Sequence, residues 1–505
     1  MTEDQTRRRF FVLAGTSAAS AAGLGVSGCK DIAGSRAGSP PASRSSVRPA
    51  KEGFVSRPDL TPPPVTVRRH GHVGDSRYVF LNAPNSGPGH GGTMILDSRG
   101  ELIWFGPDTA THHKLDFDVQ VLDGKPVLTW WQGEFVHGHG EGEAVIADAS
   151  YQVRHVIRAH NGLMADLHEF NITPQGTALI TAYRRHAKAD MRERGGPAQG
   201  YLLSGVAQEI DIATGELLFE WDSYHPARAP VPVGETYQQA GDADGTSARP
   251  FDYFHINSIA PDADGDLLIS SRNTWTVYKV SKKNGSIIWR MGGKKSDFSM
   301  GPGSRFSWQH HARAHSHGKL TVFDNGNPAK DKHSRALILH VDTAAMHVTL
   351  RGAYVHPGTV FAATAGSAQT LPDGGMFVGW GAQPRFSQFL PDGRLLLDGT
   401  MAPGAQSYRA FAREWQGHPT ERPAIAARRA DGGAIIYASW NGATDVASWT
   451  VFAGRSEGSL STVGSGRHSE FETQIGVRST GPYFTAQAND AFGRPLATSL
   501  PVMLA

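Results

Sequence analysis

The sequence predicts an all-β protein made of a repeated hairpin unit. The chain holds 59 glycines and 30 prolines, a content that favours many turns over long helices. From about residue 78, an apolar run, a polar turn and a second apolar run follow one another repeatedly. After Thr420 the sequence pattern changes to shorter segments in which apolar and polar residues alternate. We therefore expect a repeated β-structure followed by a small β-module.

The first 28 residues have the features of an export signal. Three arginines at positions 7–9 precede a weakly apolar segment, Val12 to Ser27, which is too short and too rich in small residues for a transmembrane anchor. The segment ends in VSGC, a sequence typical of a bacterial lipobox, and Cys29 is the only cysteine of the chain. We predict a twin-arginine lipoprotein signal over residues 1–28. Lipidation of Cys29 would then anchor the exported protein to the outer face of the bacterial cytoplasmic membrane.

Residues 29–60 and 61–420 differ in character. The first range is rich in Ser, Pro, Ala and Gly without apolar periodicity, which predicts a flexible tether. In the second range the hairpins turn at small or polar residues, and a further strand pair fills each interval between them. These turns are centred on Gly100, Ser150, Gly215, Gly285, Ala345 and Gly393. Two hairpins in each unit give four antiparallel strands, which is the blade of a β-propeller.

The two ends of the repeat region are expected to form the last blade together. Strands from residues 65–92 would join a late strand within Ser407–Trp415, which hides the last sheet edge and gives a six-bladed β-propeller. The polar stretch 224–250 predicts an inserted loop over one face. Residues 421–505 predict the short strands of a small C-terminal β-sandwich, similar to a fibronectin type III module.

Composition excludes several classes of function. The 49 Lys and Arg residues nearly balance the 47 Asp and Glu residues, and the formal charge of +2 is too small for a typical nucleic-acid-binding protein. A single cysteine excludes an intrachain disulfide and a cysteine zinc site. The sequence has no phosphate-binding P-loop, so we expect no nucleotide cofactor.

Histidines recur at matching points of the repeat. His168, His255 and His310 each precede the glycine of the next turn by eight to ten residues, and matching points of successive blades meet at one opening of a propeller. His255 and Asn257 should share one face of a strand, with Arg272 at the end of the partner strand. Such a cluster of imidazoles, one guanidinium and one amide, without a carboxylate dyad, suits a small tetrahedral oxyanion. It favours phosphoryl or sulfuryl transfer.

Four segments resemble the bacterial and fungal arylsulfotransferase family: DLHEFNIT, DYFHINSIAPDADGDLLISSRNTWTVYKV, GSIIWRMGGKKSDF and FSWQHHARAH. The similarity extends from about Arg57 to the C-terminal module. The resemblance implies a six-bladed propeller that moves a sulfuryl group from a phenolic sulfate donor to a phenol acceptor. It also implies a PAPS-independent, ping-pong mechanism through a sulfated histidine, with no cofactor and no metal.

By position, the resemblance also implies one nucleophilic histidine, several acid/base and sulfate-binding residues, and two residues that contact the substrate. The nucleophile is His310. The other implied catalytic residues are His255, Arg272 and His168, and the implied substrate-binding residues are Asn257 and Gln309. Two features differ from the family pattern. Cys29 alone cannot form the disulfide of the periplasmic members, and His311 stands where an acidic residue is expected.

Two other functions are left open by the sequence. His311, His315 and His317 alternate and could present three imidazoles on one strand face, as in a metal-dependent hydrolase, although the run holds no carboxylate. The other alternative is a cell-surface binding propeller without turnover, which would hold a wall component or a protein. His137 and His139 also have ligand-like spacing, but their glycine-rich surroundings predict a solvated loop.

Overall fold

The computed structural model describes residues 53–73, 77–84, 90–224, 231–241 and 244–505. Regular structure in these ranges is almost entirely β-strand, and the helical elements among them are two short 3₁₀ turns, Arg192–Arg194 and Val233–Glu235. The all-β prediction is confirmed. The predicted export signal, the lipobox cysteine and most of the predicted tether lie outside the described residues. No helix in the described part of the chain has the length and apolar character needed to cross a membrane.

The strands of the repeat region follow one another closely. They are, in chain order, β1 (Val65–Arg69), β2 (Tyr78–Ala83), β3 (Gly92–Leu96), β4 (Leu102–Pro107), β5 (His113–Leu122), β6 (Lys125–Val136), β7 (His139–Ala147), β8 (Val153–Ile157), β9 (Ala165–Ile172), β10 (Thr177–Ala189), β11 (Gly200–Asp211), β12 (Leu217–Asp222), β13 (Phe251–Asp252), β14 (Ile256–Pro261), β15 (Leu267–Ser271), β16 (Thr276–Val280), β17 (Ile287–Gly292), β18 (Ser299–Met300), β19 (His310–Ala314), β20 (Lys319–Asp324), β21 (Arg335–Asp342), β22 (His347–Tyr354), β23 (Ser367–Thr370), β24 (Met376–Gly379), β25 (Arg385–Phe389), β26 (Leu395–Met401) and β27 (Ala410–Arg413).

Hydrogen bonds join these strands into successive antiparallel groups of four. The groups are β5 to β8, β9 to β12, β14 to β17, β19 to β22 and β23 to β26, and the first two are linked into one sheet through β7 and β9. A further group combines both ends of the region, because the late strand β27 pairs with β2, which continues to β3 and β4. Strand β27 lies within the segment Ser407–Trp415 that the sequence predicts for this pairing. Strand β1 extends the group of β26 at its outer edge.

The first strands of these groups, β5, β9, β14, β19, β23 and β27, form what we call the central ring. Each contacts the next one along the chain, and β27 returns to contact β5. The closed circuit brings the residues at corresponding strand positions together, and it gives every group a neighbour on both faces. This arrangement explains why middle strands such as β15 and β16 are buried along their whole length, whereas the outer strand β17 is partly exposed.

The predicted hairpin turns all fall between the third and fourth strands of a group. Gly215 and Gly285 have φ values of 76° and 73°, a left-handed backbone that costs glycine little. In the hairpin predicted around Ala345, the left-handed residue is the next one, Met346, with a φ of 47°. The turns of the outer hairpins are therefore readable in the sequence from their small and polar residues.

The strands after the repeat region belong to two further sheets. They are β28 (Ala424–Ala430), β29 (Gly433–Ser439), β30 (Ser448–Ser456), β31 (Ser459–Arg467), β32 (Glu472–Val477), β33 (Tyr483–Asn489), β34 (Pro495–Thr498) and β35 (Val502–Met503). Strands β28, β29 and β32 form one sheet, and β30, β31, β33, β34 and β35 form the other. Both sheets contribute to one core around Ile436, Trp449 and Phe484. The Asn441 amide is hydrogen-bonded to both backbone groups of Phe105, which fastens this region to the repeat.

Candidate active site

The structure brings together the three histidines and the arginine that the sequence singles out. His168 lies in β9, His255 directly precedes β14, and His310 begins β19, so all three occupy the central ring. The rings of His168 and His255 meet edge to face with their centroids 4.8 Å apart. The pairing of β14 with β15 places Arg272 beside His255, whose carbonyl accepts a hydrogen bond from the Arg272 backbone N–H at 2.9 Å.

Four strands of the central ring are irregular at the same place, where these residues lie. The ladders shift at Leu115/Asp118 in β5, at Ile256/Ser258 in β14 and at His310/Arg313 in β19. In β9 the residues between Ala165 and Phe170 are likewise out of register with β10. Bulges of this kind turn side chains away from simple alternation and are common beside active sites. The expectation that His255 and Asn257 share a strand face by period-two spacing is therefore wrong, because β14 begins after His255 and Asn257 is the residue the ladder skips.

Two carboxylates hold two of the imidazoles. Asp166 Oδ2 lies 2.7 Å from His168 Nδ1, and Asp252 Oδ2 lies 2.5 Å from His255 Nδ1. A carboxylate accepts hydrogen bonds, so in each histidine the Nδ1 atom carries the proton and the Nε2 atom is the one left for chemistry. From the sequence we expect no carboxylate dyad and assign no carboxylate to the cluster, whereas the structure adds two, each bound to its own histidine. The acids precede their histidines by only two and three residues, and His255, with a φ of 53°, turns its ring back onto Asp252.

Both carboxylates are ionised in this buried setting. Burial alone would raise the pKa of Asp166, but the charge and hydrogen bond of His168 lower it to about 2. The pKa of Asp252 is lowered in the same way, against the effect of burial, by His255. Burial lowers the pKa of His255, and the neighbouring Asp252 carboxylate offsets part of this effect. His255 is therefore neutral at pH 7 and can take up a proton beside a negative charge.

His310 is held by an amide rather than by a carboxylate. Asn325 Oδ1 lies 2.7 Å from His310 Nδ1, while the Asn325 amide nitrogen donates to the carbonyls of Ala362 at 2.8 Å and Ala365 at 2.9 Å. Because the amide orientation is set by those carbonyls, His310 Nδ1 carries the proton and Nε2 holds the lone pair. Nε2 accepts a hydrogen bond from the Ala365 backbone N–H at 3.2 Å. Burial, reinforced by the charge of Arg272, lowers the pKa of His310 well below 6.5, so the imidazole is neutral.

Arg272 supplies the positive charge of the site. Its guanidinium lies over the ring of Trp308 at 4.5 Å and donates to Asn273 Oδ1 at 3.0 Å and to the Ala363 carbonyl at 3.2 Å. Burial lowers the pKa of Arg272 to about 10, so the side chain stays charged at neutral pH. Its Nε atom is buried and has no hydrogen-bond partner among the described residues. A planar cation with spare donors suits an anionic ligand.

Asn257 and Gln309, which the resemblance assigns to substrate binding, are fully buried and contact one another's segments. Asn257 Nδ2 donates to the Gln309 carbonyl at 2.6 Å. Gln309 Nε2 lies within hydrogen-bonding distance of the Ser270 hydroxyl and the Ser271 and Thr276 carbonyls. The Gln309 amide nitrogen thus connects β19 to β15 and β16. Asn257 Oδ1 has no partner within the described part of the chain.

Further aromatic side chains surround the histidine cluster. Two of them, Tyr183 and Tyr408, were not singled out by the sequence analysis. Tyr183 lies 6.1 Å from the ring of His255, and Tyr408 lies 5.5 Å from the ring of His168. His139 packs on Tyr183 at 4.8 Å and is only 7% exposed, so the prediction of a solvated loop is wrong for His139, whereas His137 lies exposed in the turn before it. Tyr183 lies in β10, His139 begins β7 and Tyr408 precedes β27, and no local sequence pattern marks the three as a set.

An aromatic ledge extends from Arg272 toward the inserted segment. The ring of Trp308, over which the Arg272 guanidinium lies, meets the ring of Trp275 edge to face with the centroids 5.3 Å apart. The ring of Tyr237 stacks on the other ring contact of this ledge, Trp275, with the centroids 3.6 Å apart. The Tyr237 backbone N–H donates to the Asn273 carbonyl at 2.8 Å, which fixes this part of the insert beside the site. Trp275 and Trp308 have φ values of 54° and 53°, and bulky residues are rarely held there outside functional sites.

The alternating histidines after His310 do not form a metal site. His311 is buried, its Nδ1 atom accepts from the Ala368 N–H at 3.3 Å, and its ring packs on Phe411. His315 Nε2 contacts the Thr321 hydroxyl at 2.9 Å, and His317 is exposed. Among the described residues, no group of three or more His, Cys, Asp or Glu side chains is arranged to hold a metal ion.

A separate cavity of about 730 Å³ lies against His311 and His315. Arg313, Arg413 and Phe411 also line it, and His168, His255 and His310 do not. Arginine and carboxylate side chains face this cavity in paired form, because Arg313 contacts Glu169 and Arg413 contacts Asp118.

Several solved structures are distantly similar to the chain. A protein of unknown function from Bacteroides caccae is 11% identical, with a TM-score of 0.40 over 67% of this chain and 98% of that one. A virginiamycin B lyase from Staphylococcus aureus is 9% identical, with a TM-score of 0.33 over 75% of this chain and 97% of that one. The Dos1 propeller is 12% identical, with a TM-score of 0.30 over 71% and 73% of the two chains. Similarity at this level assigns no function to the chain.

Sequence families give a clearer result, although no curated protein matches the chain. The model of the family described as arylsulfotransferase (ASST) matches residues 118–402, more than half of the 505 residues. The matched range contains His168, His255, Arg272 and His310, which the structure brings together. The chain therefore belongs to the arylsulfotransferase (ASST) family.

Proposed function

We propose that this protein is a PAPS-independent aryl-sulfate sulfotransferase that carries the sulfuryl group on His310. The observation that carries the proposal is the state of His310: a neutral imidazole whose Nδ1–H is taken by Asn325, beside the Arg272 cation. A neutral imidazole is a good nucleophile near pH 7 and a good leaving group when protonated. Family membership supports the same reaction class.

In the first step, His310 Nε2 attacks the sulfur of a phenolic sulfate. The N–S bond forms as the bond between sulfur and the aryl oxygen breaks, and the electron pair of that bond leaves with the phenolate. The departing oxygen takes a proton from Nε2 of His255 or His168, which is first protonated to the imidazolium form beside Asp252 or Asp166 and becomes neutral in this step. Because His255 is neutral at rest near pH 7, it takes up this proton before the donor reacts. Arg272 binds the sulfuryl oxygens as their charge shifts.

A donor can reach His310 Nε2 only if the backbone at Ala365 moves away from this atom. His310 is 1% exposed, and the Ala365 N–H occupies the lone pair at 3.2 Å. Both this long hydrogen bond and the left-handed backbone of Ala365, with a φ of 60°, make local rearrangement inexpensive. We propose that the Ala365 N–H moves from Nε2 to a sulfuryl oxygen when the donor binds.

In the second step, a phenol acceptor replaces the first product. Its hydroxyl proton passes to the imidazole that lost one, its oxygen attacks sulfur, and the N–S bond breaks to return neutral His310. The kinetics are then ping-pong. The aromatic ledge of Trp308, Trp275 and Tyr237 offers flat apolar surface for the rings of donor and acceptor.

We further propose that the fold is a six-bladed β-propeller over residues 61–420 with a small β-sandwich over 421–505. The closed circuit of the central ring and the pairing of β27 with β2 support the propeller. Two sheets around one core support the sandwich. The lipobox at Cys29 supports export and lipid attachment to the outer face of the cytoplasmic membrane.

The decisive experiment is intact-mass analysis of the soluble domain without the lipobox segment after brief exposure to a nitrophenyl sulfate. A gain of about 80 Da, one sulfuryl group, that disappears on adding phenol is the expected result. The His310→Ala variant should give no adduct, whereas His418→Ala, at an exposed histidine 3.6 Å from Asp445 of the C-terminal region, should behave as the wild type. Turnover without an adduct on the wild-type protein would refute the sulfohistidine. Turnover that a chelator abolishes would favour the metal-dependent alternative.

A further inference from the structure

A buried arginine lies directly before the strand that closes the central ring and bonds to the backbone of the histidine cluster. Arg409 directly precedes β27 and is 1% exposed. Few arginines are buried so completely, because removing a guanidinium from water is costly unless charges and acceptors replace the solvent. The partners of Arg409 therefore indicate what its burial achieves.

Two of these partners are backbone carbonyls of the proposed active site. Arg409 Nη2 donates to the carbonyl of His168 at 2.8 Å and to that of Asn257 at 3.1 Å. The neighbouring Tyr408 hydroxyl donates to the same His168 carbonyl at 3.0 Å. The closing strand thus contacts β9 and β14 at the two points where the histidine cluster is built.

Both carbonyls lie where the sheet ladders are interrupted. His168 falls in the stretch of β9 that is out of register with β10, and Asn257 is the residue that the β14 ladder skips. A buried carbonyl outside a ladder needs another donor, and an irregular backbone has no neighbouring strand to fix its position. Arg409 supplies the donor at both sites with one rigid, planar group.

The remaining bonds of Arg409 balance its charge. Nη1 donates to Asp116 Oδ1 at 2.9 Å and Glu169 Oε1 at 3.0 Å, and Arg313 binds Glu169 at 2.8 Å. We call Asp116, Glu169, Arg313 and Arg409 the central charge cluster; it holds two carboxylates and two guanidinium groups. Its carboxylates also accept backbone N–H groups, from Phe170 to Asp116 and from Ile259 to Glu169. The cluster therefore joins β5, β9, β14, β19 and the closing strand.

We propose that Arg409 is a positioning residue of the sulfuryl-transfer site, holding the backbone at His168 and Asn257 so that His168 and His255 face His310. This inference rests on the proposed function and extends it to a residue that does not touch the substrate. It also makes formation of the site depend on ring closure, because the positioning group arrives with the last strand of the repeat.

The test must separate positioning from charge balance. Arg409→Met removes the positioning hydrogen bonds and the positive charge together. It leaves the carboxylates of Asp116 and Glu169 with Arg313 as the one remaining guanidinium of the central charge cluster. The double variant Arg409→Met/Asp116→Asn restores the balance of one carboxylate and one guanidinium but does not restore the donors to the two carbonyls. We expect the double variant to recover most of the thermal stability that Arg409→Met loses, while kcat stays at least about tenfold below the wild type and KM changes less.

Arg413 and Asp118 provide a matched control. They form a bidentate pair at 2.8 and 2.7 Å between the same strands, β27 and β5, without a bond to either carbonyl. The double variant Arg413→Met/Asp118→Asn should keep kcat within about twofold of the wild type. Tyr408→Phe removes only the second donor to His168 and should lower kcat by a few fold. If Arg409→Met/Asp116→Asn folds and works as well as the control, Arg409 has no positioning role.

A second readout does not depend on turnover. With ¹⁵N-labelled histidines, the Nδ1–H proton of His168, bound to Asp166, should give a protected low-field signal that is missing in His168→Gln. That signal should be lost or broadened in Arg409→Met/Asp116→Asn and retained in the Arg413 control. If the wild type shows no sulfuryl transfer, the proposed function fails, whereas the signal still tests the positioning. If the signal is unchanged in the Arg409 double variant, the positioning inference is overturned.

Discussion

Replacement of Asp166 by asparagine should destabilise the protein by an amount that the structure allows us to work out. The Asp166 carboxylate is 1% exposed and accepts four hydrogen bonds, from the Gly140 N–H, the His168 N–H, His168 Nδ1 and the Thr181 hydroxyl, at 2.7 to 3.0 Å. An asparagine keeps the shape but loses the charge and turns part of this acceptor into a donor. The N–H groups left facing it lose their partners.

The expected magnitude follows from proton linkage. The pKa of Asp166 falls from 3.8 to about 2 on folding, and at about 1.36 kcal/mol for each pKa unit this corresponds to about 2 kcal/mol of unfolding free energy. Because the folded pKa is the lower one, this contribution is complete above the unfolded pKa and is lost as the pH falls through about 2. At pH 7, Asp166→Asn should therefore cost about 2 to 3 kcal/mol.

Urea unfolding of the soluble domain at pH 7 and at pH 3 measures this effect. The difference between wild type and Asp166→Asn should be largest at pH 7 and smaller at pH 3. Asp190 is the control, because Arg192 also lowers its pKa to about 2, but Asp190 is exposed and solvent screens the interaction. Asp190→Asn should leave the unfolding free energy unchanged. A loss below about 1 kcal/mol for Asp166→Asn, or a loss equal at both pH values, would refute the reasoning.

Three further predictions concern the reaction. Asn325→Leu should slow sulfohistidine formation by about 10 to 100-fold in rapid-quench measurements, because Nδ1 of His310 loses its acceptor; an unchanged rate would exclude this role. Since burial and Arg272 lower the pKa of His310 well below 6.5, adduct formation should show no acid limb near pH 6.5, and a fall with a midpoint there would contradict a neutral buried nucleophile. Tyr237→Leu should lower kcat/KM for a naphthol more than for phenol, by about three- to tenfold, and equal losses for both acceptors would remove Tyr237 from acceptor recognition.

Much of the fold is local enough to be predicted from sequence. The outer hairpins can be recognised in the sequence because their turns need residues that adopt a left-handed backbone, such as Gly215 and Gly285, between two apolar runs. The pairing of a late strand with the N-terminal strands also follows, because a repeat with unequal ends leaves two edges that can cover each other. The ladder irregularities of the central ring cannot be predicted in this way. They arise where side chains from several groups of strands compete for one small space.

Part of the candidate site could likewise be predicted from the sequence, and part could not. The spacing of His168, His255 and His310 in the repeat indicates a common location, and the structure brings them together with Arg272. Sequence reasoning nevertheless misses the carboxylates. A regular strand would place Asp166 on the same face as His168 but Asp252 on the face opposite His255, and the left-handed backbone at His255 turns that imidazole onto Asp252. An aspartate two or three residues before two of the three recurring histidines, His168 and His255, was the available signal.

By itself, the sequence determined the strand repeat, the positions of the outer turns and the residue types that could handle a sulfuryl group. Only the tertiary structure decided which partner each of those residues would have. His310 is oriented by Asn325 from the next strand, and His168 is held by Arg409 from the far end of the repeat. In a closed ring, strands distant in the chain become neighbours, so a partner such as Arg409 is not marked by sequence proximity to His168. Burial then makes those distant partners decisive, because an unpaired polar group has no water to replace them.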